Sequence, residues 1–250
     1  MPTIPSLEEL LKSGVHFGHK ISKWHPNAKP LIYMGRAGVH IINLEKTQEY
    51  LKKAIDFVKE QVANDKVLLF IGTRKHVSKL VREHAEAAGV PYVNGRWLGG
   101  TITNFSSING LVKQLEDIEQ KEHDSEYEQK YNKKERLMFS EKKTRLDKLI
   151  GGIREMKKIP DLIFILDVRE QMTAVREAHK KGIKIVALVD SNIDPSLIDY
   201  PIPANDDSVK SVELMASLIS QTVNEGRKES EENKAKVVIE KEKEEKKEKE

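Results

Sequence analysis

The sequence contains no cysteine, which excludes a disulfide framework and any metal site built from thiolates. Apolar runs are short: none exceeds five residues, as in LIFIL at 162–166, whereas a membrane-spanning helix needs roughly 20. The beginning, MPTIPSLEELL, lacks a basic region followed by an apolar stretch, so it predicts no secretory signal. With 38% hydrophobic residues the chain can fill a sizeable core. We therefore expect a folded, cytoplasmic protein that makes no membrane contact.

Acidic residues are missing from one long segment, residues 10–44. Within it, GVHFGHKISKWHP at 14–26 combines three histidines, two lysines and one of the two tryptophans. The charge of the whole chain is uneven: residues 1–102 hold 15 basic against 9 acidic side chains, and residues 159–226 hold 6 against 11. This asymmetry favours a polyanionic partner on one side, and the alternative is an uneven scatter of surface charge without function.

Short apolar runs alternate with amphipathic ones and predict an α/β fold. Gly89 and Gly182 lie where helix ends favour a left-handed residue. Because both faces of the apolar runs are hydrophobic, they are typical of buried parallel strands, and we predict a doubly wound sheet of about five strands. The predicted strands are residues 67–71, 92–93, 162–166 and 185–189 with a short one near Ile202, and the predicted helices are residues 7–12, 47–62, 77–88, 171–181 and 207–224.

Two further segments lack this alternation of predicted strands and helices. Residues 104–158 contain no strand-like run, and apolar residues spaced three and four apart predict two antiparallel helices of a coiled-coil hairpin. The last residues, ending VVIEKEKEEKKEKE, are mostly Lys and Glu, which predicts a disordered tail. The expected organisation is an α/β sheet domain of residues 1–103 and 159–226, a hairpin of residues 104–158, and a tail of residues 227–250.

Motifs for enzymatic chemistry are absent. The loops expected at the carboxyl edge of the sheet contain neither a G-x-G-x-x-G fingerprint nor a G-x-x-x-x-G-K-[ST] loop, and no serine lies in a G-x-S-x-G elbow. His16 and His19 supply only half of a zinc site, so we expect neither metal nor cofactor. One alternative remains open: an enzyme or receiver-like domain with an acidic crevice, where Asp190 with Asp206 or Asp207 would hold a cation. That crevice would be formed by Asp167, Asp190, Asp206 and Asp207.

Binding to a phosphate backbone accounts for more features together. Cations in a segment punctuated by proline and glycine can follow phosphates, and a tryptophan beside a cation can stack on an unpaired base. Each tryptophan could also belong to the core or to a protein contact. The candidate residues are Lys20, Lys23, Trp24, Lys29, Arg36, Arg74, Lys75 and Trp97.

Seven stretches, read together, resemble one family, that of bacterial small-subunit ribosomal protein two. They are LLKSGVHFGHK, KWHPNAKP, VHIINLEKT, LFIGTRK, NGRWLGGTITNF, PDLIFILDVRE and VALVDSNIDPSLIDYPIPANDD, in the family's order over about residues 4–225. The resemblance implies a flavodoxin-like domain with a protruding coiled-coil hairpin. It also implies a structural, non-enzymatic role on small-subunit ribosomal RNA at the junction of head and body. Other small-subunit ribosomal proteins would be its neighbours, with ribosomal protein one among them where the organism has it.

Carried over to this sequence, the family's RNA-facing character falls on the cations of residues 20–36 and on Arg74, Lys75, Arg96 and Trp97. It adds three basic residues of the hairpin, Lys142, Lys143 and Arg145. The Lys/Glu tail lies outside the family's pattern. A third hypothesis is an adaptor whose helical arm binds only protein.

Overall fold

The structure, a computed structural model, describes residues 3–124 and 127–247, apart from the side chains of Glu128 and residues 235–247. Among these residues no helix has both the length and the hydropathy that crossing a bilayer would need. The helices are α1 (Leu7–Lys12), α2 (Leu44–Ala63), α3 (Lys75–Ala88), α4 (Phe105–His123), α5 (Tyr127–Lys130), α6 (Lys133–Ile150), α7 (Met172–Lys181) and α8 (Val209–Lys247). The strands are β1 (Phe17–Lys20), β2 (Ile32–Arg36), β3 (Val39–Ile42), β4 (Leu68–Ile71), β5 (Tyr92–Val93), β6 (Leu162–Ile165), β7 (Lys184–Val189) and β8 (Tyr200–Pro203).

A five-stranded sheet with the order β5-β4-β6-β7-β8 confirms the predicted α/β fold. The β4–β5 and β6–β7 pairs are parallel. Counted along the chain within this sheet, the strand order is 2-1-3-4-5, the flavodoxin-like order of doubly wound folds. β4 and β6 are buried along their whole length, as expected for strands covered on both faces.

Helix termini in the structure follow the sequence signals. Gly89 ends α3 and Gly182 ends α7, both in the left-handed conformation with φ of 62° and 68°. α1 begins with a capping box, in which Ser6 and Glu9 exchange side-chain and backbone hydrogen bonds. α2 begins at residue 44, three residues before its predicted start, because the Asn43 side chain accepts hydrogen bonds from the first amides.

A second, three-stranded sheet with the order β1-β3-β2 was not predicted. β2 and β3 form a hairpin closed by Ala37 and Gly38, whose φ angles of 51° and 79° suit a two-residue turn. β2 is exposed from Tyr33 to Arg36, so it carries no alternation of apolar and polar residues that would indicate a strand. The segment predicted as a loop is therefore partly sheet.

The chain forms two compact units. The first consists of Met1–Leu68 and Leu188–Glu250, and the second of Leu69–Ala187. This division differs from the predicted sheet domain, hairpin and tail, whose boundaries stay predictions. In the second unit, the core includes Phe70 and Phe164, which are fully buried with ring centroids 5.2 Å apart.

α4 and α6 pack together in the second unit. They run antiparallel, since Glu122 pairs with Lys143 at 2.6 Å while Glu119, one turn earlier, pairs with Arg154 at 2.6 Å beyond the end of α6. The buried residues of α4 recur every three or four positions and are Ile108, Val112, Leu115 and Ile118. The sequence pattern predicts three of them but places Leu111, which is half-buried, in the seam instead of Val112.

In the first unit, α2 packs along α8. The sequence predicts a disordered tail from residue 227, whereas α8 continues as a helix to Lys247. Ser230 is buried and its hydroxyl donates to Asp65, which also pairs with Lys234 at 2.7 Å. These side chains join α8 to the end of α2 beyond the predicted boundary, a contact that composition alone does not reveal. Residues 248–250 of the predicted tail lie outside the described residues.

Candidate nucleic-acid interface

The N-terminal basic segment, residues 14–36, is tied down at its backbone rather than free to move as a loop. The amide of His25 donates to the Ser191 carbonyl at 2.8 Å, and the amide of His19 donates to the Ser191 hydroxyl at 2.9 Å. The side-chain amide of Asn27 donates to both carboxylate oxygens of Asp194, at 3.1 and 3.0 Å. The residues after β7 therefore fix the position of this segment within the first unit.

The histidines of this segment obtain acidic partners from distant parts of the sequence. His19 Nδ1 lies 3.0 Å from an oxygen of Asp190, and its Nε2 lies 3.3 Å from an oxygen of Asp207. The hydrogen bond to Asp190 raises the pKa of His19, while partial burial opposes the shift. His16 has no such partner among the described residues, and burial lowers its pKa. His19 thus helps to join the N-terminal basic segment to the residues after β7 and to those before α8.

The same cluster has the donor set of a divalent-cation site. One ligand atom from each of His19, Asp206 and Asp207 lies within 4.8 Å of the others, and Asp206 is fully buried. An imidazole nitrogen with carboxylate oxygens suits several divalent metals. Asp190 faces the opposite nitrogen of His19, where it fixes the ring orientation. The sequence left open a cation held by Asp190 with Asp206 or Asp207, but the spacing of His16 and His19 did not reveal that His19 joins these carboxylates.

The cations of the N-terminal basic segment have a different environment from its histidines. Lys20, Lys23, Lys29 and Arg36 are all exposed. No ion pair involves any of them within the described part of the chain. Long, unpaired cationic side chains on a fixed backbone are suited to contacts with phosphates.

Trp24 is half-buried beside His40, with ring centroids 5.3 Å apart. Part of the indole is therefore covered by the protein itself. The remaining exposed surface is available to a base or to a neighbouring protein, the two possibilities that the sequence left open.

One carboxylate accepts most of the hydrogen bonds that anchor the Trp97 loop, residues 94–104, in the second unit, and the Asn94 side chain adds one to the Ser78 carbonyl at 3.3 Å. Trp97 is only 8% exposed, and its indole N–H donates to Glu177 at 3.1 Å. Glu177 also accepts hydrogen bonds from the amides of Gly100, Ile102 and Thr103 and from the Thr103 hydroxyl, at 2.8 to 3.1 Å. Burial opposes ionisation of Glu177, but these hydrogen bonds together lower its pKa.

Trp97 therefore has little free surface on which a base could stack. Its burial corresponds to the core alternative that the sequence allowed for this residue. Arg96, the residue before it, is exposed. The Trp97 loop consequently offers a cation to a ligand, while its indole serves to hold the loop.

Arg74 is the N-cap of α3 and Lys75 is its first residue, shortly after β4 ends at Ile71. The amides of Thr73 and Arg74 donate to Asp167 at 2.9 and 3.1 Å. Asp167 is fully buried, and this burial raises its pKa despite the two amide hydrogen bonds. Lys75 is exposed and Arg74 is half-buried, so Lys75 is the cation of this pair with the greater access to a ligand.

The three candidate basic residues of α6 differ in whether they have an acidic partner. Lys142 and Arg145 are exposed, whereas Lys143 forms an ion pair with Glu122 at 2.6 Å that raises the pKa of Lys143. An existing acidic partner makes Lys143 a poorer phosphate ligand than its neighbours.

Glu177 was missed by the sequence analysis, although a signal for it exists. It lies on the buried face of α7 with Ala174 and Ala178. An acid on the apolar face of a helix must find hydrogen-bond donors, because burial of an unpaired charge is costly. The donors come from residues 74 to 80 positions away, and no local pattern identifies them.

Comparison with known proteins supplies the family. The model of the family "Ribosomal protein S2" matches residues 10–226. The small ribosomal subunit protein uS2 of Helicobacter acinonychis is 46% identical over 222 residues, which cover 89% of this chain and 90% of that protein. The uS2 proteins of Helicobacter hepaticus and Nitratiruptor sp. are both 43% identical, over 90% and 89% of this chain and 85% and 83% of their own lengths. This chain therefore belongs to the ribosomal protein S2 family.

Proposed function

We propose that this protein binds small-subunit ribosomal RNA through the N-terminal basic segment, with Lys20, Lys23, Lys29 and Arg36 as phosphate contacts. As a member of its family the chain is a structural constituent of the small ribosomal subunit and not an enzyme. The observation that carries the RNA proposal is the contrast within the segment. Its histidine His19 is paired with a buried carboxylate, while its four cations are exposed and form no ion pair among the described residues.

The rigid backbone of the segment supports this assignment. Ordering a flexible cationic chain on RNA costs conformational entropy, whereas a segment already held by Ser191 and Asp194 loses less on binding. Trp24 adds a partly exposed aromatic surface between Lys23 and Lys29. We include it as a stacking residue or as a contact to a neighbouring protein.

A second set of cations extends the proposed interface. Lys75 and Arg96 are exposed in the second unit, and Lys142 and Arg145 are exposed on α6. Arg74 and Lys143 are proposed as weaker contributors, because one is half-buried and the other already has an acidic partner. The buried Trp97 is proposed to support Arg96 rather than to stack on RNA.

The position on the subunit belongs to the same proposal. From the resemblance we infer a place at the junction of head and body, in the cytoplasm, in contact with other small-subunit ribosomal proteins and, where the organism has it, with ribosomal protein one. The exposed cations support this placement because small-subunit RNA presents phosphates on its surface.

Titration of RNA binding with salt tests the proposal directly. The purified chain is mixed with a small-subunit ribosomal RNA transcript, and the dissociation constant is measured between 50 and 300 mM KCl. Each phosphate contact contributes a slope of roughly 0.7 to 0.9 in a plot of log affinity against log salt, so four contacts predict a slope of about 3. A flat response would contradict phosphate binding.

Sedimentation of cell extract tests the assignment in the cell. The protein should migrate with small subunits in a sucrose gradient and leave them when the salt concentration is raised. Recovery of the protein only in the soluble fraction, at low salt, would contradict the proposed role.

A further inference from the structure

A cleft of about 710 Å³ lies within the second unit, at the carboxyl ends of its parallel strands. Residues following β4 and β6, the first and third strands of the doubly wound sheet, line it together with residues following β5. Strand order reverses between β4 and β6, and ligands of doubly wound folds bind at such a switch point. The sequence contains no nucleotide-binding motif here, so the case for a ligand in this cleft depends on the position of the cleft and on its lining residues.

Three cations line this cleft: Lys75, Arg96 and Lys148. None of them forms an ion pair within the part of the chain that the structure describes, and Glu170 is the acid among the lining residues. Lys75 is also the first residue of α3, a helix of 14 residues whose N-cap, Arg74, makes no side-chain capping hydrogen bond. Because the amides of Thr73 and Arg74 at the start of α3 donate to Asp167, the positive charge of the cleft comes from its exposed cationic side chains, which suit a phosphate.

Gln171 provides an independent observation in the same cleft. It is 1% exposed, and its Nε2 donates to the Thr73 hydroxyl and lies 3.5 Å from Asp167 Oδ2. These two acceptors fix the amide with Nε2 towards Asp167. Its Oε1 has no hydrogen-bond partner among the described residues. A buried acceptor without a donor is costly, which points to a ligand that supplies an N–H or O–H group.

A single ligand can satisfy both observations if it combines an anion with a hydroxyl. We propose that this cleft holds one nucleotide, with its phosphate between Lys75 and Arg96 at the start of α3 and a ribose hydroxyl donating to Gln171 Oε1. The inference rests on the proposed function in that ribosomal RNA is the expected source of the nucleotide. A free nucleotide presents the same phosphate and hydroxyl groups, and the experiment distinguishes it from RNA by comparing a mononucleotide with an oligonucleotide.

The experiment uses the full chain and three probes: uridine 5′-monophosphate, a hexamer of uridine ribonucleotides and a hexamer of deoxyuridine nucleotides. Dissociation constants are measured by calorimetry for the unmodified protein, K75A and R96A. The matched control is K79A, which removes the same charge from the same helix outside the cleft, where Lys79 pairs with Glu83. We expect K75A and R96A to weaken binding about tenfold each and K79A less than twofold.

Gln171→Met tests the hydroxyl contact, with its folding checked by circular dichroism. It should abolish the preference for the ribonucleotide hexamer over the deoxyribonucleotide hexamer and leave the effect of K75A intact, because the 2′-hydroxyl distinguishes the two polymers. Binding of the RNA hexamer alone would identify RNA as the source, and equal binding of the mononucleotide would identify a free nucleotide. Absence of binding, or binding that K75A and R96A leave unchanged, would overturn the inference.

Co-sedimentation with small subunits separates this inference from the proposed function. If K75A and R96A show no effect on nucleotide binding while the protein still migrates with small subunits, the cleft inference fails and the proposed function stands. If the cleft binds nucleotide but the protein never associates with subunits, the cleft inference stands and the proposed function fails.

Discussion

The N-terminal basic segment and the Trp97 loop both carry candidate RNA-binding cations, but they are anchored in different ways. The first is fixed by several contacts to Asp190, Ser191 and Asp194, which are made by three residues of the segment. The second is fixed mainly by one side chain, Glu177, which accepts five hydrogen bonds from the loop, and by a single further hydrogen bond from Asn94 to the Ser78 carbonyl. Distributed anchoring and single-point anchoring should respond differently to the loss of one residue.

The comparison also separates the roles of charge in the two regions. In both regions a buried acid binds a group other than the exposed cations: Asp190 binds His19 in the segment, and Glu177 binds Trp97 in the loop. The cations beside them, Lys20 and Arg96, are left exposed. Buried acids therefore position the backbone in each region, and the neighbouring cations remain available to a polyanion. Net charge along the sequence does not distinguish these two kinds of charged residue.

Removal of the main anchor of the Trp97 loop should have the largest effect. Glu177→Ala leaves the Trp97 indole N–H and the amides of Gly100, Ile102 and Thr103 without their acceptor. We expect the free energy of unfolding to fall by about 3 to 5 kcal/mol, the cost of leaving buried partners of a charge unpaired. Urea denaturation followed by tryptophan fluorescence measures this change. Glu213→Ala, on the exposed face of α8, is the control and should change stability by less than about 0.5 kcal/mol.

The contribution of Glu177 should depend on pH. Burial opposes its ionisation, but the hydrogen bonds from Gly100, Trp97, Thr103 and Ile102 lower its pKa below the usual 4.5. A carboxyl group with a lowered pKa in the folded state stabilises the fold above its unfolded pKa, and the stabilisation is lost as the pH falls through the folded pKa. The difference in unfolding free energy between the unmodified protein and Glu177→Gln should therefore be largest near pH 7 and shrink below about pH 4.5. A difference that stays constant from pH 7 to pH 3 would show that the charge of Glu177 has no part in anchoring the loop.

The sequence predicts the large sheet well because its strands are apolar on both faces. Residues 67–71 and 185–189 were predicted, and β4 and β7 lie at Leu68–Ile71 and Lys184–Val189. The small sheet escaped prediction because β2 is exposed over most of its length and pairs with β3 without a hydrophobic pattern. Its existence depends on the turn at Ala37 and Gly38 and on pairing within the folded unit.

The candidate site could be predicted only in part, for a similar reason. Exposure of Lys20 and Lys23 follows from their polar, acid-free surroundings. Burial of Trp97 depends on Glu177, which is 80 residues away in the sequence. The pairing of His19 with Asp190 likewise joins residues that are far apart along the chain. Such contacts are products of the fold, and residue types beside each other in sequence do not encode them.

The cations of the N-terminal basic segment should affect RNA binding without affecting the free energy of unfolding. Lys20→Ala combined with Lys23→Ala removes two exposed charges that have no ion-pair partner in the described structure. We expect affinity for the ribosomal RNA transcript to fall about tenfold at 100 mM salt, and the salt slope to fall by about 1.6, as two lost phosphate contacts require. The free energy of unfolding should change by less than about 0.5 kcal/mol.

A matched double variant tests whether position matters or only charge. Lys12 and Lys53 are also exposed but pair with Glu8 and Glu49 on their own helices, at 2.7 and 2.6 Å. Lys12→Ala combined with Lys53→Ala changes the net charge by the same amount and should reduce affinity by less than twofold. Equal losses for the two double variants would mean that RNA responds to the overall charge of the protein. That result would contradict the proposal that the N-terminal basic segment makes the phosphate contacts.

Loss of one contact among several should have the smallest effect. Asn27→Ala removes the two hydrogen bonds to Asp194 on an exposed part of the segment, while the bonds from His25 and His19 to Ser191 remain. We expect the free energy of unfolding to fall by about 0.5 to 1 kcal/mol. Amide hydrogen exchange should accelerate in residues 20–31 and stay unchanged in β4 and β6, since local opening of the segment does not require unfolding of the sheet. A loss as large as that expected for Glu177→Ala would mean that the segment depends on Asn27 alone, and the distinction between distributed and single-point anchoring would fail.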